Sequence, residues 1–374
     1  MKHAHRALFT WSALLVSGAA SAAQPQTEPE PQPVAPEPAP VAPEPEPAAP
    51  PPAAPQPEAP PPEAPPAPAR ATPEPDPPPT PAPAPSRPST PAAPYSVPWQ
   101  LRPVVAPTVV RIEQGFARYE DANANGGLTA TTVLTASYKI PGTGEKLAGL
   151  APVMRLAFVV DDPPPGGRGG NSLVNPLLGA AYAMKLGGGL RLNGFFGVTL
   201  PVGGGGGASP HPGTVDARTK GINARAQMDN ALFAVNDLTV IPGVGAAWVA
   251  HGLTVQVEAT VLHLMRVRGE AVQPEASKTN FTSGLHVGYY IVPELSVGAE
   301  LRYQRWLNPP IAFEKDPTER TLDNLTAAIG PRVHVKAGPL TLRPGIAYAR
   351  GLDKPLAAAT PNYHLVTFDV PAFF

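Results

Sequence analysis

The sequence predicts an all-β fold: a transmembrane, antiparallel, up-and-down β-barrel of about 12 strands, preceded by a disordered Pro-rich segment. Three observations predict it. Segments of about ten to thirteen residues alternate apolar and polar side chains with period two. The connections between them are short at one rim and long at the other. After the amino-terminal leader, no stretch reaches the roughly 18 consecutive apolar residues of a membrane helix.

The chain opens on a positive stretch, Met1 to Arg6, followed by the apolar run "ALFTWSALLVSGAA" and the small residues "SAAQ". Residues 1–23 therefore read as a secretory signal peptide cut after Ala23. The chain has no cysteine, so neither disulfides nor a lipidated amino-terminal cysteine are available to it.

Residues 24–98 form the second unit. Of the 56 prolines, 33 fall here, with nine acidic residues, two arginines and almost no large apolar side chain. Such a segment cannot bury enough surface to offset the entropy of ordering. It reads as a semi-rigid periplasmic arm of polyproline-II character, a spacer first and a candidate ligand for peptidoglycan second. The formal charge of −1 divides as +2 in the leader, 2 − 9 = −7 in the arm and so +4 from Trp99 onward. That surplus is too small to imply nucleic acid.

Residues 99–374 form the barrel unit. Twelve strands are expected at about 107–120, 127–140, 149–160, 172–186, 189–201, 237–250, 252–266, 279–292, 294–307, 323–336, 339–350 and 363–374. "LTVQVEATV" sets Val255, Val257, Ala259 and Val261 against Thr254, Gln256, Glu258 and Thr260. "LSVGAELRYQR" does the same from Leu295. A soluble sandwich would also alternate. Here, however, the polar side carries glycine, alanine and single charges, as suits a confined wet lumen. Aromatic residues recur near segment ends (Tyr138, Tyr182, Trp248, Tyr303, Trp306, Tyr348, Tyr363), which suits the girdles of an outer-membrane barrel.

The last segment, "NYHLVTFDVPAFF", alternates to its end. An open sheet edge cannot face lipid, because each unpaired backbone group costs several kcal/mol there. The final strand is therefore expected to close the barrel against the first, with Phe368, Val370 and Phe374 on the wall. A terminal strand ending in Phe resembles the signal by which outer-membrane barrels are recognised by the insertion machinery, which that resemblance implies as a partner alongside outer-membrane lipid.

The expected lumen-lining residues are Arg111, Glu113, Arg155, Glu258, His286, Glu300, Arg302, Arg332, His334 and Arg343. With Lys139, Lys185, Arg191, Lys336 and Asp369, basic residues outnumber acidic ones nine to four, which favours anionic or polar solutes over cations. The alternative is that these charges pair across strands and plug a narrow barrel. His211, His251, His263, His286, His334 and His364 show no metal-ligand spacing, and no nucleophile elbow or carboxylate pair stands out. No catalytic residue, cofactor or metal is assigned. The glycine-rich "PVGGGGGASPHPG" lacks the lysine of a phosphate loop and reads as an outer loop. After it, "NARAQMDNALFAV" places Met228, Leu232 and Phe233 at helical spacing, for a short helix that either folds inward or caps the rim.

The stretch Asn175 to Gly203, with its corner Leu200-Pro201-Val202-Gly203, resembles the transporter-like outer-membrane barrels named after the meta pathway of phenol degradation. Those barrels carry a Leu-Pro-Thr-Gly-like corner; valine stands here in place of the threonine. The resemblance implies passive uptake of small molecules, aromatic ones among them, and transfers no binding residue. The leading expectation is thus a non-enzymatic channel or porin-like transporter for small solutes. A non-conducting envelope scaffold whose arm contacts the cell wall is the second expectation, and a rim-located hydrolase the third.

Overall fold

The computed structural model describes residues 94–142, 149–315, 322–358 and 361–374. Residues 1–93, which hold the expected leader and most of the expected arm, lie outside this range. The described residues hold β1 (Val109–Glu120), β2 (Gly126–Ser137), β3 (Leu150–Asp162), β4 (Gly170–Leu173), β5 (Leu177–Gly187) and β6 (Leu190–Thr199). A long connection then carries α1 (Pro212–Ala224) and α2 (Asn230–Phe233). β7 (Asp237–Ala250), β8 (Leu253–Arg266), β9 (Ser277–Val292) and β10 (Leu295–Asn308) follow, then α3 (Ile311–Lys315) and β11 (Asp323–Val333). The chain ends with β12 (Val335–Ala337), β13 (Leu340–Leu342), β14 (Gly345–Gly351) and β15 (His364–Phe373).

All pairings are antiparallel, and β1 pairs with β15 from Val109↔Phe373 to Arg118↔His364. The sheet is thereby a closed barrel. β4 and β5 share one stave, β11 and β12 a second, and β13 and β14 a third, which leaves twelve staves. Two of the three breaks inside staves fall at prolines, which cannot donate to a ladder, and the third falls at His334 between β11 and β12. Pro176 separates β4 from β5, and Pro344 separates β13 from β14. The continuous strands expected at 172–186 and 339–350 are interrupted for that reason. At Asn175 the side chain takes over part of the bonding, donating to the Ala234 carbonyl at 2.8 Å and accepting from Gly203 N–H at 3.0 Å.

The faces are inverted relative to a soluble protein. On β8, Thr254 and Gln256 are fully buried while Val257 is 51% exposed. On β1, Glu113 is buried while Ile112 is 55% exposed. The apolar set of each strand looks outward and the polar set inward, which is the pattern of a barrel in lipid. The β7–β8 connection is a two-residue turn in which His251 (φ 51°) and Gly252 (φ 79°) are both left-handed, matching the twist of the flanking strands. Short turns of this kind gather at one rim. The connections carrying the helices gather at the other.

Two of the expected girdle aromatics face inside instead. Tyr363 is fully buried, its ring centroid 5.3 Å from that of Tyr119. Trp306 packs against the apolar cluster that includes Phe233 and Leu264. Both lie on the inward parity of their strands, or at its end, and parity outweighs position along the strand in deciding which medium a side chain meets.

Candidate functional site

The lumen is occupied from both rims. From the short-turn rim, Tyr95 to Ala106 enters as an extended strap ahead of β1. Tyr95, Val97, Trp99, Leu101 and Val104 are all buried. The sequence alone ends the arm at Pro98 and starts the barrel at Trp99. Tyr95, Ser96 and Val97, on the arm side of that expected boundary, are buried inside the wall as well. The reason is bonding rather than composition. An extended strap has free backbone groups, and the inner wall supplies partners for them.

Those partners are mostly the charges expected to line the lumen. Glu300 accepts from the Trp99 and Gln100 backbone N–H groups. Glu258 accepts from Arg102 N–H at 2.6 Å. Arg111 donates to the carbonyls of Pro98 and Trp99, and Arg343 donates to that of Tyr95 at 3.1 Å. Arg332 lies over the Trp99 ring, its Cζ 4.2 Å from the centroid. His286 Nε2 is 3.3 Å from Ser96 Oγ. The inner wall is cut away to make room. A Cβ on Gly284 would strike Leu101, and one on Gly345 would strike the Trp99 ring. Glycines that read in the sequence as generic lumen residues are seats for individual strap side chains.

From the long-loop rim, the β6–β7 connection folds inward. Residue spacing placed one short helix after Asn223. The structure has α1 before that point and α2 at its end, with Leu232 and Phe233 buried against β2, β3 and β5–β8. Between the helices, Arg225 is 1% exposed and pairs with Glu113 of β1 and with Asp229, 2.8 Å away. Arg155 of β3 holds Asp229 from the other side through two bonds of 2.8 and 3.1 Å. Burial alone would raise the Asp229 carboxyl. The guanidinium groups of Arg155 and Arg225 overturn that and hold it well below the usual carboxylate range.

One ladder of alternating charge joins the two inserts. Arg332 pairs with Asp369 at 2.8 Å, Asp369 with Arg111 at 2.6 Å, and Arg111 with Glu113 at 3.3 Å. Glu113 meets Arg225, Arg225 meets Asp229, and Asp229 meets Arg155. The ladder touches the strap at Arg111 and Arg332 and the loop insert at Arg225 and Asp229. Asp369, noted in the sequence only as one lumen charge among many, is its fully buried hub. Arg225 carried no sequence signal, since helix or loop residues have no lumen parity to read.

The remaining expected residues form a second group. Arg302 Nε stands 2.8 Å from Glu300 Oε2, and His286 Nδ1 lies 3.7 Å from Glu300 Oε1. His334 is bonded to Ser296 Oγ at 2.8 Å and stacks on Tyr290 at 4.6 Å between centroids. Between strap and wall a cavity of about 100 Å³ remains, lined by Leu101, Val153, Phe195 and Phe373 with Arg111 and Arg155 at its edge. At the seam, Phe368 is 47% exposed on the outer face, Val370 pairs with Ile112, and Phe374 N–H donates to the Thr108 carbonyl at 3.1 Å.

No protein-family model and no curated protein matches the chain. Solved structures do match. An outer membrane channel from Pseudomonas putida F1 superposes with a TM-score of 0.51 at 11% identity, covering 75% of this chain and 100% of that one. The NanC porin covers 71% of this chain and 98% of its own at 10% identity and a TM-score of 0.41. A Pseudomonas aeruginosa FadL homologue covers 71% and 90% at 10% identity and a TM-score of 0.33. At such identities the likeness shows the fold: that of the bacterial outer-membrane β-barrels.

Proposed function

We propose that the chain is a gated outer-membrane channel for the passive passage of small solutes, with the strap as inner gate and the α1–α2 insert as outer gate. The observation that carries this reading is how the inserts are held. A structural plug needs only a packed core, yet the strap is held, beside its buried apolar side chains, by side chain–backbone hydrogen bonds from wall carboxylates and guanidinium groups. Each such bond is worth about 1 kcal/mol net, or up to ~3 where a charge takes part, and water can replace it, so the strap can leave and return. The likeness of residues 175–203 to the barrels of the meta pathway of phenol degradation supports small-molecule uptake, aromatic molecules among the solutes. In this reading residues 1–23 direct export, and the segment from Gln24 is a periplasmic arm from which the strap emerges.

Planar-bilayer recording tests the proposal. The full chain should give discrete current steps. The Glu258→Gln/Glu300→Gln variant, whose strap loses both anionic anchors, should stay open several-fold longer. Silence from both would overturn the channel reading. It would favour the scaffold reading, which the doubly occupied lumen also supports: a barrel that anchors a wall-binding arm without conducting.

A further inference from the structure

The long-loop rim holds a pocket of about 210 Å³ that the gate ladder does not use. It lies between the helical insert and the outer ends of β8, β9 and β10. One wall is apolar: Phe233, Leu264, Trp306 and Phe313, the last two with ring centroids 6.2 Å apart. Arg218 of α1 also lines the pocket.

Arg218 differs from the cations around it. Lys278 Nζ is 2.8 Å from Asp237 Oδ2 and 3.8 Å from Glu275 Oε1. Gln273 occupies the other Asp237 oxygen at 2.6 Å. Arg268 donates to the carbonyls of Val235 and Gly203. Among the described residues, Arg218 makes no hydrogen bond and no ion pair. Burial holds its guanidinium below the usual arginine range, and the field of Asp237 only partly opposes this. Arg218 is half-buried, and a partly desolvated cation without an ion-pair partner is costly unless something else brings the charge.

We propose that this pocket binds a small organic monoanion, a carboxylate on an apolar body of about one ring, with the carboxylate on Arg218 and the body against Trp306 and Phe313. The guanidinium fork matches a carboxylate bidentately. A closed apolar cavity of about 150 Å³ already takes a benzene ring, so a ring plus a carboxylate fits the larger volume found here. The proposal rests on the channel reading only in making this anion the solute that enters from the long-loop rim; binding itself needs no conduction.

The test is fluorescence titration of the full chain in lipid nanodiscs with benzoate, benzyl alcohol and acetate. Trp306 lies in the site and reports on it directly. Benzoate should quench saturably, and Trp306→Phe should abolish the quench. Benzyl alcohol, which lacks the charge, and acetate, which lacks the body, should each bind at least tenfold more weakly. Arg218→Gln should weaken benzoate at least tenfold, and Arg218→Lys should restore part of the loss. Unchanged benzoate affinity in a folded Arg218→Gln barrel overturns the site, and so does benzyl alcohol binding as well as benzoate. Should Arg218→Gln not fold, Phe313→Ala decides: weaker benzoate binding supports the site and unchanged binding sinks it. Currents in bilayers without Arg218-dependent binding would remove this site and leave the channel. Binding without currents would do the reverse.

Discussion

Arg111 Nη2 stands 2.6 Å from Asp369 Oδ2, an ion pair that links the first strand to the last across the seam where the barrel closes. Arg332 approaches the same carboxylate with two bonds of 2.8 and 3.0 Å. Closure of the barrel and retention of the strap thus share one carboxylate, since both arginines also touch the strap.

Replacing that carboxylate leaves buried Arg332 without an ion pair among the described residues and Arg111 with Glu113 alone. Asp369→Ala is expected to cost about 3–5 kcal/mol, the usual penalty for breaking a buried pair from one side. Denaturant unfolding of the barrel in detergent measures it. A change under ~1 kcal/mol would show that water already solvates the seam.

The strap should answer to Glu300. Its carboxylate receives the Trp99 and Gln100 N–H groups, so Glu300→Gln removes the charge from those bonds and halves the acceptor set. Trp99 is 1% exposed. In the variant its emission should shift to the red and its quenching by acrylamide should rise about twofold or more. Unchanged quenching would mean that packing alone retains the strap.

The loop insert should be insensitive to mild acid. The Asp229 carboxyl is depressed in the folded chain, so its stabilising effect is fully present above its unfolded value of about 4 and is lost only as pH falls through the folded value. Protease cleavage within residues 212–234 should therefore stay flat from pH 7 to pH 4. Arg225→Met leaves Glu113 and Asp229 short of a cation and should raise cleavage at neutral pH by an order of magnitude. Cleavage that rises between pH 7 and pH 5 in the parent chain would contradict the latch.

The outer face makes the sharpest contrast. Val257→Arg on the exposed side of β8 should destabilise the lipid-embedded barrel by about 2–4 kcal/mol, the depth-dependent penalty of a cation on the lipid face. On a soluble surface the same change would fall within about 0.5 kcal/mol. Unfolding in lipid vesicles distinguishes the two, and the small value would remove the protein from the membrane.

Much of the wall was legible in the chain because a strand's two faces are separated by parity alone. Thr254, Gln256 and Glu258 go in and Val255 and Val257 go out whatever the partner strand is, and one residue of slip would reverse every one of them. The inward positions of Glu300 and Arg302 follow from the same rule. Where prolines break the ladder at Pro176 and Pro344, the rule still sets the faces but not the continuity.

The contents of the barrel were not legible. Tyr95–Val97 look like the tail of a proline-rich arm, and nothing local marks them as buried. Arg225 and Arg218 sit on an insert whose side chains follow no period of the wall. Tertiary structure decided that Glu258 and Glu300 hold strap backbone, that Asp369 bonds both Arg111 and Arg332, and that Arg218 at the rim makes no ion pair among the described residues. The sequence by itself determined which side of the sheet is greasy, because alternation is a local property of an extended chain. Only closure of that sheet into a ring brought residues a hundred or more positions apart within bonding distance, and it is those long-range contacts that fill the lumen.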